Sequence, residues 1–320
     1  MTPTEKIHRP YSRRAFAGVV GSAAITLAVT ACGGGGDPLA QDKPTPAGTA
    51  DATDAIVIGS QQYYSNEIIA ELFAQIIEHA GRPVKRELRI GQREVYMKEI
   101  TAGKIDVFPE YSGNLLQYLD KKATAKDPDA IQAALGTALP DGLRVLPAAA
   151  ASDQDSYNVT AEFAQDHGLA SLADLAKITT PLAIAANSEF ETRPYGPSGL
   201  ETVYGVKNAS VTPVEDSGGP LTVKALLDGE VQLADIYSAD PAIGKNSLVT
   251  LKDPKHLILP QNIIPLVSKK IDDKLAAAIK SVTDALTTDE LIQMNTASVD
   301  KQRKADVIAR EWLASKGLTA

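Results

Sequence analysis

The sequence predicts an α/β fold built as two domains. Between residues 55 and 109, short apolar runs alternate with segments of helical period, which is typical of a parallel sheet covered by helices. About 265 residues follow a polar segment that ends at Asp54, and a chain of that length is long enough for two domains rather than one. The first observation gives the fold class, and the second gives the number of domains.

Each element of this pattern is assigned from its apolar residues. The run AIVIGS at 55–60 is short, apolar and closed by Gly-Ser, as a buried strand is. The segment 66–81 has apolar residues at helical spacing and stops at Gly81, which indicates a helix. The same criteria predict strands at 84–90, 105–109, 144–151, 181–187, 232–238, 256–260 and 263–270, and helices at 93–104, 171–178, 221–231 and within 271–317.

The N-terminus predicts export and lipid attachment. Residues 1–31 read as a signal peptide, with a basic start and then an uncharged stretch of 17 residues, which is short for a transmembrane helix of about 20. The signal ends in VTAC, which resembles a bacterial lipobox, so Cys32, the only cysteine of the chain, is the predicted lipidation site. The motif SRRAF at 12–16 resembles a twin-arginine signal, and both the Tat and the Sec routes stay open.

Residues 32–54 are predicted to be the lipidated cysteine and a flexible tether, because they are rich in Gly, Pro, Ala, Thr and Asp. Removal of the signal changes the formal charge of the chain from −8 to −11. An acidic body is a poor partner for nucleic acid. We therefore expect a protein anchored by lipid on the extracytoplasmic side of the cell membrane, monomeric and without nucleic-acid partners.

Two segments in different halves of the chain share one plan. GKIDVFPEYSGN at 103–114 and GEVQLADIYSAD at 229–240 each have a glycine, a short hydrophobic strand, and then Tyr-Ser with a polar end. Ligands of open α/β sheets bind outside the carboxyl ends of the strands. The two strand exits, with Tyr111 and Tyr237, therefore predict one ligand cleft between two lobes.

Several segments occur in the order found in substrate-binding proteins of ABC transporters, and the chain resembles the branch for quaternary ammonium osmoprotectants (glycine betaine, carnitine, choline, proline betaine). They are IVIGSQQYYSNEIIAEL, GKIDVFPEYSGNLL, SEFETRPYGPSGLETVYG, KALLDGEVQLADIYSAD and LKDPKHLILP. The resemblance implies a two-lobed periplasmic-binding-protein fold of type II with two crossovers. Lobe 1 is then expected at 55–152 plus 241–320 and lobe 2 at 153–240, with a small-molecule ligand and with ABC permease and ATPase subunits as partners.

The resemblance also implies which residues bind the ligand. Members of the branch hold a trimethylammonium group among tyrosine rings, which here match Tyr111, Tyr157 and Tyr237; ring faces attract a cation that cannot donate a hydrogen bond. Asp155 matches an acidic or polar position facing the cation. Arg193, in EF-x-x-R, matches the arginine that binds a betaine carboxylate through its planar fork of donors.

Three departures from the family pattern leave the ligand open. Gln61 stands where a lysine is common, Asn114 stands where a threonine is common, and Gln261 follows Pro260 where a further tyrosine is common. The site thus lacks one ring and one positive charge. Its affinity for a cation and for a carboxylate is expected to be lower than that of a site with the usual family residues.

Three additional aromatic residues near the motifs are expected to compensate. These are Tyr63, Tyr64 and Tyr195, and only one of the adjacent Tyr63 and Tyr64 is expected to face the site. The candidate ligands are a quaternary ammonium such as glycine betaine, choline or carnitine, or a neutral polyhydroxy or aromatic solute.

Enzymatic functions are poorly supported by the motifs. His79, His167 and His256 are far apart and lack partners at metal-ligand spacing, and the sequence has no HExxH, Walker A or GxSxG motif. We expect no catalytic residue, no metal site and no cofactor. A surface enzyme or a sensor on the same fold remain the alternatives from other functional classes.

Overall fold

The computed structural model of the protein describes residues 54–319, and its strands form two five-stranded sheets. The first sheet contains β1 (Ile56–Gly59), β2 (Val84–Glu87), β3 (Val107–Tyr111), β4 (Leu143–Val145) and β10 (Ile263–Ser268). The second contains β5 (Tyr157–Val159), β6 (Leu182–Ala186), β7 (Ala209–Pro213), β8 (Leu233–Asp235) and β9 (Val249–Thr250). The predicted signal peptide at 1–31, Cys32 and the tether before Asp54 lie outside the described residues.

The parallel pairing predicted from the first elements is present in each sheet. The spatial orders are β2-β1-β3-β10-β4 and β7-β6-β8-β5-β9. β1 pairs in parallel with β2 and β3, and β6 pairs in parallel with β7 and β8. β10 and β5 then join their sheets in the antiparallel direction. The predicted α/β class is confirmed, with sheets that are mixed rather than purely parallel.

Helices connect the strands, and several begin at a side chain that accepts a backbone N–H, as Asp127, Thr160, Asp272 and Thr287 do. The α-helices are α1 (Tyr64–His79), α2 (Arg93–Thr101), α3 (Ser112–Leu119), α4 (Pro128–Ala138), α5 (Ala161–His167), α6 (Pro197–Gly199), α7 (Pro220–Leu227), α8 (Pro241–Lys245), α9 (Asp273–Ala285), α10 (Thr288–Val299) and α11 (Ala305–Ser315). Shorter turns of 3-10 or π type occupy Leu172–Lys177, Ser188–Thr192 and Leu200–Tyr204.

Separate hydrophobic cores define two lobes. In the first lobe, α1 is buried along most of its length and packs against α9, α10 and α11 as well as the first sheet. In the second lobe, Leu182, Ile184 and Leu233 of the sheet pack with Leu172 and Leu175. Burial of these apolar side chains away from water is the main stabilisation of each lobe.

Two antiparallel segments, 151–156 and 258–263, connect the lobes. The N–H of Ile263 donates to the carbonyl of Ala151 at 3.0 Å, and Ser152 and Asn262 form an antiparallel bridge. These segments correspond to the two crossovers that the resemblance implies. They also bring Asp155 and Gln261 to the boundary between the lobes.

The second lobe extends beyond residue 240, which corrects the predicted boundary. β9 pairs with β5, and Leu251, Leu257 and Ile258 lie in the core of the second lobe. The chain re-enters the first lobe at Leu259, which packs with residues of that lobe. A two-residue edge strand followed by a loop has too little periodicity to be assigned to a lobe from the sequence.

Candidate functional site

A cavity lies between the lobes at the carboxyl ends of β3 and β8, where the two Tyr-Ser exits meet. Its volume is about 40 Å³, measured as the space open to the centre of a water-sized sphere. Its lining combines the first lobe (Gln61, Tyr63, Gln92, Arg93, Tyr111, Asn114), the connecting segments (Asp153, Asp155, Gln261) and the second lobe (Asn187, Glu189, Phe190, Arg193, Tyr195, Asp235, Tyr237). The cleft therefore has aromatic rings and charged groups from both halves of the chain.

Most residues predicted to bind the ligand come together in this cavity. They are Gln61, Tyr63, Tyr111, Asn114, Asp155, Arg193, Tyr195, Tyr237 and Gln261. They are brought together by tertiary structure, since they come from three strand exits, both connecting segments and the loop that follows the turn at Ser188–Thr192. Their role in binding remains a prediction, but their shared location meets its first requirement.

Tyr64 and Tyr157 do not line the cavity. The Tyr64 hydroxyl donates to Asp240 at 2.6 Å, and the Tyr64 side chain lies in a separate surface groove with Arg89 and Ala305. The Tyr157 hydroxyl donates to the backbone carbonyl of Tyr195 at 2.6 Å, while its ring packs edge-on against Phe190. Strand alternation directs Tyr157 into the core of the second lobe, so that its ring supports the cavity wall from behind.

Tyr63 links the two tyrosines of the strand exits. Its ring stacks on Tyr111 with 6.4 Å between centroids and meets Tyr237 edge-on at 5.0 Å. The hydroxyls of Tyr63 and Tyr111 are hydrogen-bonded, and Asn66 donates to the Tyr111 hydroxyl at 3.3 Å. Of the adjacent pair Tyr63 and Tyr64, only Tyr63 faces the cavity, as expected. The three rings form a continuous aromatic surface across the lobe boundary.

The carboxylate that follows Pro109 is fully paired inside the first lobe. Glu110 accepts two hydrogen bonds from Arg93, both at 2.9 Å, and one from the Tyr96 hydroxyl at 2.7 Å. Both members of this ion pair are buried. A bidentate pair of this kind fixes the start of α2 against the end of β3, and so fixes the backbone that carries Tyr111.

Four carboxylates line the cavity: Asp153, Asp155, Glu189 and Asp235. Asp155 accepts from the Asn114 amide at 2.8 Å and from the Gln261 amide at 3.2 Å, and both of these donors are neutral. Asp235 accepts from the backbone N–H of Ser156 at 3.2 Å and lies within hydrogen-bonding contact of Asp155. Burial raises the pKa of Asp235 well above its ordinary value, and the charge of Asp155 raises it further.

Asp153 is the buried acid of the first connecting segment. It accepts from the Ser65 hydroxyl at 2.9 Å and from the backbone N–H of Ala239 at 3.0 Å. Burial raises the pKa of Asp153 to about 7, although these two hydrogen bonds act to lower it. Asp153 therefore ties α1 to the second strand exit while remaining an acid that titrates near neutral pH.

Arg193 forms an ion pair across the mouth of the cavity. Its guanidinium donates to Glu94 at 2.8 Å, which joins the second lobe to the first turn of α2. The Arg193 side chain is 16% exposed and that of Glu94 is 49% exposed, so this pair lies at the rim in contact with water. The residue predicted to bind a carboxylate thus already has a carboxylate partner of its own.

Four side-chain amides of the lining each have one buried atom without a hydrogen-bond partner within the described residues. These atoms are Gln61 Nε2, Gln92 Nε2, Asn114 Oδ1 and Gln261 Oε1. A buried polar group without a partner is costly, on the order of 1–3 kcal/mol. The four amides can therefore donate to and accept from a ligand that carries hydroxyl or carboxylate oxygens.

Sequence reasoning missed several residues of the lining, above all Gln92, Arg93, Asp153 and Asp235. Asp235 stands two residues before Tyr237 in the strand exit, and this was the available signal for it. The pairing of Arg93 with Glu110 joins different elements and leaves no local pattern in the sequence. Within residues 54–319, no group of three or more His, Cys, Asp or Glu side chains has a geometry that could hold a metal ion.

Residues 54–315 match the family model of the substrate binding domain of the ABC-type glycine betaine transport system. The chain belongs to this family. The resemblance inferred from the sequence motifs is thereby confirmed. Members of the family are substrate-binding proteins of transport, so the protein is the substrate-binding component of a glycine betaine-type ABC transporter. It acts on the extracytoplasmic side together with a permease and an ATPase.

Individual proteins agree with the family match. The glycine betaine-binding protein YehZ of Escherichia coli (strain K12) is 25% identical over 282 residues, which cover 84% of this chain and 92% of YehZ. The crystal structure of a glycine betaine/carnitine/choline ABC transporter protein gives a TM-score of 0.67 at 23% identity, over 82% of this chain and 99% of that one. An ABC-transporter choline binding protein in complex with choline gives 0.61 at 11% identity, over 82% and 89%.

These structural matches confirm the two-lobed periplasmic-binding-protein fold. Within residues 54–319, no helix has the length and apolar character needed to cross a membrane.

Proposed function

We propose that the protein captures a quaternary ammonium osmoprotectant in a tyrosine cage between its lobes and delivers it to the permease. The observation that carries this proposal is the convergence of Tyr63, Tyr111 and Tyr237, from both lobes, in one cavity lined by buried carboxylates. Tyr195 adds a fourth ring from the second lobe.

The chemistry of the cavity suits an ammonium group that carries methyls. Such a group cannot donate an N–H hydrogen bond, so it gains little from polar partners and is attracted by ring faces. Each good cation–π contact contributes about 0.5–2 kcal/mol, with the cation within about 6 Å of the ring centroid. Carboxylates behind the rings add a longer-range attraction, because the interior screens charge less than water does.

The polar residues of the cavity suit the other end of an osmoprotectant. Gln61, Gln92, Asn114 and Gln261 offer donors and acceptors to a hydroxyl or a carboxylate. Closure of the two lobes around the ligand brings both walls into contact with it at once. Binding energy then shifts the population toward the closed form, which is the form that docks on the permease.

The names of related proteins point to the same ligand class. YehZ is named as a glycine betaine-binding protein, and one structural neighbour holds choline. A neutral polyhydroxy or aromatic solute is the second candidate, because the unpaired amide atoms would satisfy hydroxyl groups as well.

A thermal-shift panel separates these candidates. It compares glycine betaine, choline, carnitine and proline betaine with neutral sugars and phenols, each at millimolar concentration. A ligand at one hundred times its Kd stabilises the folded protein by about 2.7 kcal/mol. We expect at least one quaternary ammonium to raise the Tm. The proposal fails if a neutral solute raises the Tm while no quaternary ammonium does.

We further propose that lipid on Cys32 anchors a monomeric receptor to the outer face of the membrane. The supporting observation is the signal-like segment that ends directly before the only cysteine of the chain. Replacement Cys32→Ser is expected to move the protein from the membrane fraction to the soluble exported fraction. Light scattering of the soluble form should give the mass of one chain, and retention of the variant in membranes would contradict the anchor.

A further inference from the structure

The cavity contains more carboxyl groups than cationic side chains that are available to pair with them. Asp153, Asp155, Glu189 and Asp235 line it, against two guanidinium groups. Arg93 is engaged by Glu110 and Arg193 by Glu94, and neither Glu110 nor Glu94 belongs to that lining. Among residues 54–319, the four lining carboxylates thus have no cationic partner of their own.

Asp155 and Asp235 are the two of these four acids that contact each other. Both side chains are buried, and their carboxyl groups lie within hydrogen-bonding contact of each other. Their remaining contacts are neutral: the amides of Asn114 and Gln261 on Asp155, and the backbone N–H of Ser156 on Asp235. Two buried carboxylates in contact repel each other. One of them therefore takes up a proton unless a cation lies beside the pair.

The titratable and charged groups around this acid pair do not supply that cation. They are the acids Asp153 and Glu189, the tyrosines Tyr157, Tyr195 and Tyr237, and the paired arginines Arg93 and Arg193. Arg93 is held in the first lobe by two hydrogen bonds to Glu110, and Arg193 is held at the rim by Glu94. Charge balance at the pair must therefore come from a proton or from the ligand.

We infer that the Asp155–Asp235 pair is the counter-ion of the ligand's ammonium group, and that an entering organic monocation displaces the proton of Asp235. This inference rests on the proposed function and names the ligand class more narrowly. One positive charge enters the cavity and one proton leaves to the solvent, so the charge of the cavity does not change. The site then favours a cation without a carboxylate over a zwitterion.

The preference against a zwitterion has a direct physical reason. The carboxylate of a betaine would add negative charge to a cavity that already holds four carboxylates. Arg193, the residue predicted to bind it, already donates from both terminal nitrogens to Glu94 at the rim. The unpaired amide atoms, by contrast, suit a hydroxyl group, which can both donate and accept.

Calorimetric titration tests this inference on the exported chain. Choline and glycine betaine serve as probes, in buffers of different ionisation enthalpy at pH 6, so that the proton count is measured with the affinity. We expect choline to release about one proton on binding. We also expect its Kd to be at least about tenfold lower than that of glycine betaine, a difference of about 1.4 kcal/mol.

Variants separate the acid pair from general charge effects. Asp235→Asn keeps the shape and the acceptor for Ser156, and it should abolish the proton release and the preference for choline. Asp155→Asn should do the same. Glu189→Gln removes one carboxylate of the same cavity outside the pair and should keep the proton release, whereas Asp284→Asn on the exposed face of α9 should change neither quantity.

The outcomes distinguish this inference from the proposed function. Three results would overturn the counter-ion role and leave quaternary ammonium capture standing. Glycine betaine could bind as tightly as choline or more tightly, or choline could bind without releasing a proton. The third result is an Asp235→Asn protein that keeps both the proton release and the preference for choline. Absence of binding by any quaternary ammonium overturns both.

Discussion

The two strand exits that bound the cleft have similar sequences but opposite electrostatics. In the first exit, Glu110 is neutralised by Arg93, and Tyr111 is held by hydrogen bonds to Tyr63 and Asn66. In the second exit, Asp235 meets another carboxylate, Asp155, and Tyr237 contributes its ring to the cavity. The same Tyr-Ser plan thus ends in a paired acid on one side. On the other side it ends in an acid that has no cationic partner in the part of the chain that the structure describes.

This difference separates stability from ligand capture. Charge that is buried and paired with good geometry holds a structure in place, whereas buried charge without a counter-ion destabilises it. The first exit therefore forms a rigid wall that is complete before the ligand arrives. The second exit forms a wall whose electrostatics are completed by the ligand.

Breaking the pair of the first exit should have the largest effect. Glu110→Gln leaves the buried guanidinium of Arg93 without a counter-charge, and we expect the free energy of unfolding to fall by about 3–5 kcal/mol. Denaturant unfolding monitored through Trp312 measures this quantity. The matched control is Glu94→Gln, which removes the partner of Arg193 at the exposed rim and should cost less than about 1 kcal/mol. Equal losses in the two variants would contradict a rigid first wall.

Asp153, between the two exits, predicts a pH dependence of stability. The folded protein keeps this carboxyl protonated up to about pH 7, while the unfolded chain loses the proton near pH 4. The folded state binds more protons in that window, so Asp153 destabilises the protein increasingly as pH rises from about 4 to 7 and constantly above it.

The variant Asp153→Asn tests that dependence. Its stability relative to wild type should rise between pH 4 and 7, by at most about 4 kcal/mol, and level off at higher pH. Thermal melts of both proteins across this range give the comparison. A constant difference between them at every pH would show that Asp153 does not titrate in this way.

Removal of the Tyr237 ring in the second exit should have a smaller effect. It should change the affinity for the ligand rather than the stability of the protein. Tyr237→Ala removes one cation–π contact, and we expect choline to bind about five- to thirtyfold more weakly, from about 1–2 kcal/mol. Tyr237→Phe keeps the ring and should bind nearly as well as wild type. A loss of equal size with Phe would assign the effect to the hydroxyl and argue against a cage.

Local pattern in the sequence was enough to predict the first elements and the rings at the strand exits. The helical period placed α1 within two residues of its observed bounds, and Tyr111 and Tyr237 follow directly from the polar ends of hydrophobic strands. Both residues line the cavity because strand ends of the two sheets meet there.

What the sequence did not predict depends on long-range pairing. The direction of Tyr157 into the core is set by the pairing of a three-residue strand, and the charge state of the cavity depends on which arginine meets which acid. The extension of the second lobe to β9 likewise rests on one short antiparallel pair. None of these contacts leaves a periodic trace in the chain.

A crystal structure of the exported chain with choline tests the central claim most directly. We predict that the quaternary nitrogen lies between the lobes, within about 6 Å of the ring centroids of Tyr63, Tyr111 and Tyr237, with Asp155 and Asp235 as the nearest carboxylates. An ammonium group bound away from these rings, or a neutral solute occupying the same position in preference to choline, would contradict the account.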